Sequence, residues 1–166
     1  MINLVKRFAL AAVAPLLLTL GGCSEKEGPL FDVYDGEITI NGITYPTSTF
    51  IGKSGGWDNA EGYGNFSVTA VERSGGANSC WYYDFGFVSS TPPREGDDLV
   101  KKELCFYCDD TFPSTVYKSV SGKVKVVDIS KRDYTMVVDF QNLKMRSDEG
   151  DIYTFDGKVT VYFEEY

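Results

Sequence analysis

Three stretches near the C-terminus decide the fold: SVSGKVKVVDI at residues 119–129, YTMVVDF at 134–140 and VTVYF at 159–163. In each stretch apolar and polar side chains alternate, which is typical of a β-strand with one buried face. In the second stretch the even-numbered residues share that face. A one-residue slip in the alternation, at Val126-Val127, indicates a β-bulge. Because polar connections separate the stretches, the sequence predicts a three-strand antiparallel meander.

The region upstream of the meander repeats this pattern of strands and turns. Glu37–Ile40 and Ile43–Tyr45 flank Asn41-Gly42, and an Asn-Gly pair supplies the two positive φ angles of a type I′ hairpin turn. Residues rich in β-branched and aromatic side chains predict three further strands, at 65–72, 80–88 and 99–107. We therefore predict an all-β fold of about eight strands, either an antiparallel β-sandwich or an up-and-down β-barrel.

Composition excludes several classes of chemistry. A length of 166 residues suits one domain, and 43% hydrophobic residues are enough for a core. The chain contains no histidine, which excludes Ser-His-Asp triads, Cys-His pairs and His-ligated zinc or haem. Its net charge of -8 argues against nucleic acid as a partner, because phosphate binding is driven by an excess of Lys and Arg.

The N-terminus reads as an export signal. Lys6 and Arg7 precede an apolar run, 8–20, which is about seven residues too short to cross a membrane as a helix. The segment ends in Leu20-Gly21-Gly22-Cys23, which resembles the lipobox of bacterial lipoproteins. The resemblance implies cleavage before Cys23 and transfer of a diacylglycerol to its thiol, so that the chain is anchored to a membrane through Cys23.

A second resemblance concerns the residues that follow. The acidic stretch Ser24–Glu27 is similar to the surface-export tethers of Bacteroidetes lipoproteins, and GEITINGITY at 36–45 and DIYTFDGKVTVYF at 151–163 resemble small β-rich lipoproteins of that group. In lipoproteins of the enteric type, a Ser after the lipidated Cys implies forwarding to the outer membrane. These families offer no catalytic residues to transfer, so the resemblance implies fold and location, on the periplasmic or the surface-exposed face.

The predicted organisation has three parts. Residues 1–22 are the lipoprotein signal peptide, 23–34 the lipidated acidic tether and 35–166 a single β domain. We find no internal repeat and no second domain boundary.

Three cysteines lie in the predicted domain: Cys80, Cys105 and Cys108. If strands 80–88 and 99–107 form a hairpin, either Cys108 or Cys105 faces Cys80 when the turn falls in the Pro92–Gly96 loop. An exported chain allows disulfides, so we expect a bridge from Cys80 to Cys108 or Cys105. Three reduced thiols are the alternative. A redox role for the C-x-x-C is disfavoured because it ends a strand, and residues three apart in a strand point to opposite faces.

Aromatic residues are abundant, with 11 Tyr, 11 Phe and 2 Trp. We expect the alternating rings of the predicted strand 80–88 to lie in the core. Trp57 and Tyr63 fall instead in a glycine-rich stretch, 52–64, which is predicted to be a long loop. Displayed beside Asp58, these rings would stack on a sugar and hydrogen-bond its hydroxyls. The interpretation that we favour for Trp57 is instead that its ring folds back under the loop as a plug.

The acidic residues form clusters in predicted turns and at the C-terminus, at 97–98, 109–110, 148–151 and 164–165. We interpret them as solvated turn residues rather than as a catalytic pair or a calcium site. The sequence thus predicts no cofactor, no metal and no catalytic residues. The expected function is non-enzymatic binding of a glycan or an envelope protein. An assembly subunit of an envelope complex is the alternative, and a carboxylate-dependent glycan hydrolase comes third.

Overall fold

A computed structural model describes residues 34–49, 55–74, 77–108 and 115–165, so the predicted signal peptide and most of the predicted tether lie outside the described residues. The described chain is almost entirely β-structure, which confirms the predicted fold class. None of its helices is long and apolar enough to cross a membrane. The strands are β1 (Gly36–Ile40), β2 (Ile43–Thr47), β3 (Gly56–Asp58), β4 (Tyr63–Ser74), β5 (Ala77–Val88), β6 (Cys105–Cys108), β7 (Thr115–Ser130), β8 (Thr135–Ser147), β9 (Ile152–Tyr162) and β10 (Glu164–Glu165).

The strands close into a ring. Their order is β4-β2-β1-β9-β8-β7-β6-β5, and β5 pairs again with β4 from Tyr63↔Val88 to Ser74↔Ala77. The short strands β3 and β10 extend the sheet from β4, and β10 runs parallel to β3. Consecutive long strands are antiparallel neighbours, so the arrangement is that of an up-and-down barrel rather than of two separate sheets.

The C-terminal meander is confirmed. β7, β8 and β9 pair in sequence, and the register shifts between Val126 and Asp128, where the bulge was predicted. The same ladder of β7 and β8 also shifts between Ser119 and Lys123, and the ladder of β8 and β9 shifts between Phe140 and Leu143. The placement of Tyr134 on the inner face was wrong. Tyr134 has a φ of 53° and is 48% exposed, because it occupies the left-handed position of the turn before β8.

Aromatic side chains fill the interior of the barrel. Phe85 is fully buried at its centre, and its ring centroid lies 5.2 Å from that of Phe66, 5.3 Å from that of Phe140 and 5.2 Å from that of Phe155. Phe106 follows at 5.5 Å. These rings come from five of the eight strands of the ring, so their packing joins most of the wall around one apolar core.

The predicted hairpin at the start of the domain is also confirmed. Ile40 pairs with Ile43, and the turn residues Asn41 and Gly42 have φ values of 50° and 83°. The left-handed conformation at both central positions is that of a type I′ turn, which Asn and Gly adopt at low cost.

The predicted strand 99–107 was wrong over its first half. Leu99–Lys102 forms a 3₁₀ helix, which the Asp98 side chain caps by accepting from the Val100 N–H, and Glu103 ends it with a φ of 56°. Only β6 continues as a strand. Leu99 and Leu104 are both buried. Burying both ends of this stretch while its consecutive charged residues face outward favours a helical turn over an alternating strand.

Candidate functional site

Trp57 is a plug and not a displayed ring. It lies in β3, is 5% exposed, and donates from Nε1 to the Ser89 carbonyl oxygen at 2.9 Å. The prediction of a continuous loop over 52–64 was wrong at this point, because β3 pairs with the start of β4 through Trp57↔Gly64. Burial of the indole together with satisfaction of its N–H explains why a glycine-rich stretch folds into the sheet here.

Asp58 and Tyr63 do not join Trp57 in a ligand site. Asp58 Oδ1 accepts from the Ala60 N–H at 2.7 Å and so closes the turn between β3 and β4. Tyr63 covers the outer face of β5, where a Cβ atom at Gly86 would lie 2.0 Å from its hydroxyl. Asp58 and Tyr63 are cross-strand partners and share one face of the sheet, whereas Trp57 is buried on the other face, so the three predicted ligand-binding side chains do not converge.

The expected disulfide is wrong in its register. β5 and β6 pair as Asp84↔Tyr107 and Gly86↔Cys105, whereas the predicted bridges need Cys80 opposite Cys105 or Cys108. Cys80 lies six residues from Gly86, or about 20 Å along the strand, and disulfide formation needs Cα atoms within about 7 Å. Cys80 and Cys105 are both free thiols. The register differs because the 3₁₀ helix takes up residues that the prediction had assigned to the strand.

Cys105 belongs to a small polar cluster on the outer face of the barrel. Its Sγ lies 3.2 Å from the Tyr107 hydroxyl oxygen and 3.3 Å from the Gly86 carbonyl oxygen. Hydrogen bonds with Cys105 and Tyr63, together with burial, raise the pKa of Tyr107 well above its usual range. Burial likewise raises the pKa of Tyr63. Both phenols stay protonated at neutral pH and act as hydrogen-bonding groups of the wall.

The acidic pair Asp97-Asp98 is structural rather than simply solvated. Asp97 Oδ2 lies 3.1 Å from the Lys102 Nζ. Partial burial raises the pKa of Asp97, but the bond from Lys102 and the N–H of Arg94 outweigh burial and hold this pKa below its usual value. Asp98 caps the 3₁₀ helix and accepts from the Val124 N–H on β7 at 3.3 Å. The pair fastens the loop between β5 and β6 to the barrel.

The other acidic clusters were also considered as metal sites. Within the four described ranges, no group of three or more Cys, Asp or Glu side chains is placed to bind a metal ion. The predicted cluster at 109–110 lies outside the described residues. Glu165, from the C-terminal cluster, pairs with Lys131 at 2.7 Å.

A polar cleft of about 650 Å³ lies on the outer face where β1 meets β9. The two strands pair only at Thr39↔Asp156 and Ile40↔Phe155. Beyond these two pairs the strands form no further ladder pairs, but their backbones remain close. A Cβ atom added at Gly157 would lie 2.7 Å from the Glu37 carbonyl oxygen. The cleft is lined by Tyr34, Gly36, Glu37, Thr39, Thr44, Asp156, Gly157 and Lys158.

We call this cleft at the junction of β1 and β9 the seam cleft. Its lining carries both hydrogen-bond acceptors and donors. The Glu37 and Asp156 carboxylates and the Lys158 ammonium are all exposed to solvent. Asp156 is held in place because its Oδ1 accepts from the Asn142 N–H at 2.8 Å. The Thr39 and Thr44 hydroxyls bond to each other at 2.9 Å. Such a surface suits a ligand that is itself rich in hydroxyl groups.

Sequence reasoning missed this cleft. Its residues come from the first hairpin and from β9, more than a hundred positions apart, and each reads as an ordinary outward-facing polar residue. One signal was available in Gly157, because a glycine inside an alternating strand marks a bulge or a close backbone approach. Gly157 has a φ of 130°, a conformation that other residues rarely adopt.

We compared the chain with protein-family models, curated proteins and solved structures, and none of them matches it.

Proposed function

We propose that this chain is a non-enzymatic lipoprotein of the cell envelope, anchored to the outer membrane through Cys23, whose barrel binds a glycan in the seam cleft. The observation that carries the proposal is the cleft itself. Its volume of about 650 Å³ falls in the usual range of small-ligand sites, roughly 300–1,000 Å³. It is also the concave surface of the described chain where a ring, carboxylates, hydroxyls and an ammonium group converge.

Chemistry favours a glycan over other ligands. A sugar presents hydroxyl groups that both donate and accept hydrogen bonds, which matches carboxylates on one side of the cleft and Lys158 on the other. Tyr34 contributes a ring at the edge of the site. Because the chain has a net charge of -8, a polyanionic ligand is repelled, whereas a neutral oligosaccharide is not.

The anchor is supported by the sequence of the first 23 residues. A positive segment, an apolar run and Leu20-Gly21-Gly22-Cys23 stand in lipobox order. Tyr34, the first described residue, lines the cleft, so the predicted tether joins the barrel beside the binding site. A multiply acylated cysteine binds a membrane firmly, because each buried methylene contributes about 0.8 kcal/mol.

The binding proposal is tested on a glycan array with the full-length chain purified in detergent, followed by calorimetry on each retained glycan. We expect the double variant Glu37→Ala/Lys158→Ala to weaken binding at least tenfold. The matched control, Glu149→Ala/Lys123→Ala, removes the same charges from exposed positions outside the cleft and should bind like the unmodified chain. Equal affinity of both double variants for every retained glycan would refute the seam cleft as the site.

The anchor is tested separately by metabolic labelling with a clickable fatty acid in a Gram-negative host. We expect the label to reside on the N-terminal peptide and to be lost in Cys23→Ser. Label that persists in Cys23→Ser, or a chain that is never labelled, would contradict lipidation at Cys23.

A further inference from the structure

Trp81 is an inward-facing residue that solvent nevertheless reaches. It lies on the same face of β5 as Phe85 and Phe87, which are buried, and it pairs with Ala70, which is fully buried. Yet Trp81 is 45% exposed. The expectation that all the alternating rings of this strand lie in the core was therefore wrong for Trp81. Its position marks the rim of the barrel, where the inner face opens to solvent.

The indole is held in a fixed orientation at this rim. Its Nε1 donates to Glu72 Oε2 at 3.2 Å, across the pair of strands β4 and β5. Glu72 is exposed, and its Oε1 takes no part in that bond. An exposed ring face thus stands directly beside a carboxylate oxygen that is able to accept a hydrogen bond from a ligand.

We infer that Trp81 and Glu72 form a second binding site, at the rim of the barrel, which takes a sugar ring. The apolar C–H face of a pyranose packs on the indole, and a hydroxyl of the same ring donates to Glu72. This inference rests on the proposed function for its ligand class. It does not depend on the seam cleft, which lies on the outer face of β1 and β9.

The surroundings of Trp81 favour a sugar over a protein partner. Protein-binding hot spots are usually large rings within a wider apolar patch. Among the described residues of β4 and β5, the inner-face neighbours of Trp81 form no exposed apolar patch. Ser79 and Glu72 are exposed and polar, Ala70 presents only a methyl group, and the side chains of Val68 and Tyr83 pack in or against the core. One ring with polar groups around it matches the alternation of apolar face and hydroxyl edge in a sugar. The net charge of -8 argues against stacking on a nucleic-acid base.

The chain offers a direct optical test, because it contains only two tryptophans. Trp57 is 5% exposed and Trp81 is 45% exposed, so acrylamide quenching reports mainly on Trp81. We would titrate the full-length chain in detergent with cellohexaose, maltohexaose, mannohexaose and any glycan that an array retains. A bound sugar is expected to shift the emission and to protect it from acrylamide. Trp81→Phe should abolish both signals.

Affinity measurements complete the test. We expect Trp81→Ala to weaken calorimetric binding of the responding glycan about tenfold or more, a loss typical of an aromatic contact. Glu72→Ala should weaken it less. Tyr82→Ala is the matched control, since Tyr82 is an exposed ring, 41% accessible, on the opposite face of the same strand. It should bind like the unmodified chain.

The outcomes separate the two proposals. Binding that depends on Trp81 but not on Glu37 and Lys158 supports the rim site and refutes the seam cleft. Binding that depends on the cleft residues alone refutes the rim site and leaves the cleft. Loss of binding in Tyr82→Ala but not in Trp81→Ala refutes the rim site, as does Trp81-dependent retention of a protein in the absence of any glycan response. If no glycan is retained or changes the fluorescence, both proposals fail.

Discussion

Two regions of the barrel wall are built in contrasting ways. β7, β8 and β9 pair almost continuously, from Tyr117↔Ser147 to Ser130↔Thr135 in one ladder and from Thr135↔Tyr162 to Arg146↔Ile152 in the other. Directly beside these strands, β1 pairs with β9 at two positions, and β2 pairs with β4 at one. The first region, which we call the meander, has its backbone groups satisfied by neighbours. The second, the seam, has only these few ladder pairs, and the candidate cleft lies there.

The seam also contains buried polar atoms that lack partners. Among the residues that the structure describes, the side-chain oxygens of Thr47, Ser48 and Thr69 and Asp35 Oδ1 are buried without a hydrogen bond. Such groups are uncommon in folded proteins, because each lost bond to water costs about 1–3 kcal/mol. The contrast teaches that the meander is the better satisfied part of the wall, whereas the seam, where the candidate cleft lies, retains unsatisfied polar groups.

The largest expected effect is in the meander. Phe140→Ala removes a fully buried ring on β8 that packs against Phe85 at 5.3 Å and Phe155 at 6.0 Å. We expect the free energy of unfolding to fall by about 3–5 kcal/mol, as is usual for a buried phenylalanine. Urea denaturation measures this loss. A loss below about 1 kcal/mol would contradict the view that the meander and its rings carry the stability.

A smaller effect is expected where β1 touches β9. Gly157→Ala places a Cβ atom 2.7 Å from the Glu37 carbonyl oxygen at a residue with a φ of 130°, so we expect a loss of about 1–3 kcal/mol. The seam should also widen, and calorimetry should show weaker glycan binding. Gly150→Ala is the control for backbone strain alone, since Gly150 has a φ of 100° but no atom within 4 Å of its added Cβ. Equal losses in the two variants would show that the close approach of β1 to β9 is not important.

The contrast also explains which parts of the molecule the sequence predicts. The meander and the Asn41-Gly42 hairpin were predictable because alternation and turn chemistry are local signals. The 3₁₀ helix was missed because its reason is tertiary: Leu99 and Leu104 both reach the core, and Asp98 caps the turn while also bonding to β7. The predicted pairing of Cys80 with Cys105 or Cys108 was wrong for the same reason. Residues 99–102 form the helix instead of a strand, so β6 pairs with a later part of β5 than predicted.

The candidate sites were less predictable than the fold. The seam cleft depends on which distant strands become neighbours, and a single sequence does not contain that information. Trp57 follows the plug interpretation, whereas Trp81 does not lie in the core as expected. The tryptophan in a glycine-rich stretch is buried, and the one in a regular strand is exposed at the rim. Local pattern gives the face on which a side chain lies, but its depth along the barrel axis decides whether solvent reaches it.

A gain in stability is expected from removing one of the unsatisfied buried hydroxyl groups of the seam. Thr69→Val replaces a buried, unpartnered hydroxyl by a methyl group of similar shape. We expect the free energy of unfolding to rise by about 1 kcal/mol, because no hydrogen bond is lost and a desolvated polar group is removed. Thr160→Val, at a half-buried position in the meander, is the control for the higher strand propensity of valine. A destabilised Thr69→Val variant would show that the hydroxyl has a partner in solution.

The smallest effect concerns the loop that closes the wall between β5 and β7, which is neither meander nor seam. The pKa of Asp97 is lowered, since the bond and charge of Lys102 outweigh partial burial. A carboxylate of this kind stabilises the fold above its unfolded pKa, about 3.9, and the contribution disappears as the pH falls through the lower, folded pKa. Asp97→Asn should therefore cost less than about 1 kcal/mol at pH 7, in keeping with a partly exposed ion pair. Below about pH 4, the free energy of unfolding of the Asp97→Asn variant should also depend less on pH than that of the unmodified chain.

Urea denaturation at pH 7 and at several values between pH 2 and pH 4 measures both effects. Lys102→Met removes the other partner of the pair and should flatten the same part of the pH profile. The double variant should lose less than the sum of the two single variants, because the Asp97–Lys102 bond is lost only once. The bond from Lys102 to Ser89 and the bond from the Arg94 N–H to Asp97 are lost separately. A pH profile unchanged by both substitutions would mean that the Gly96–Val126 backbone bond and the two leucines hold this loop without the ion pair. The loop would then resemble the meander, fastened by backbone bonds and apolar packing, more than the polar seam.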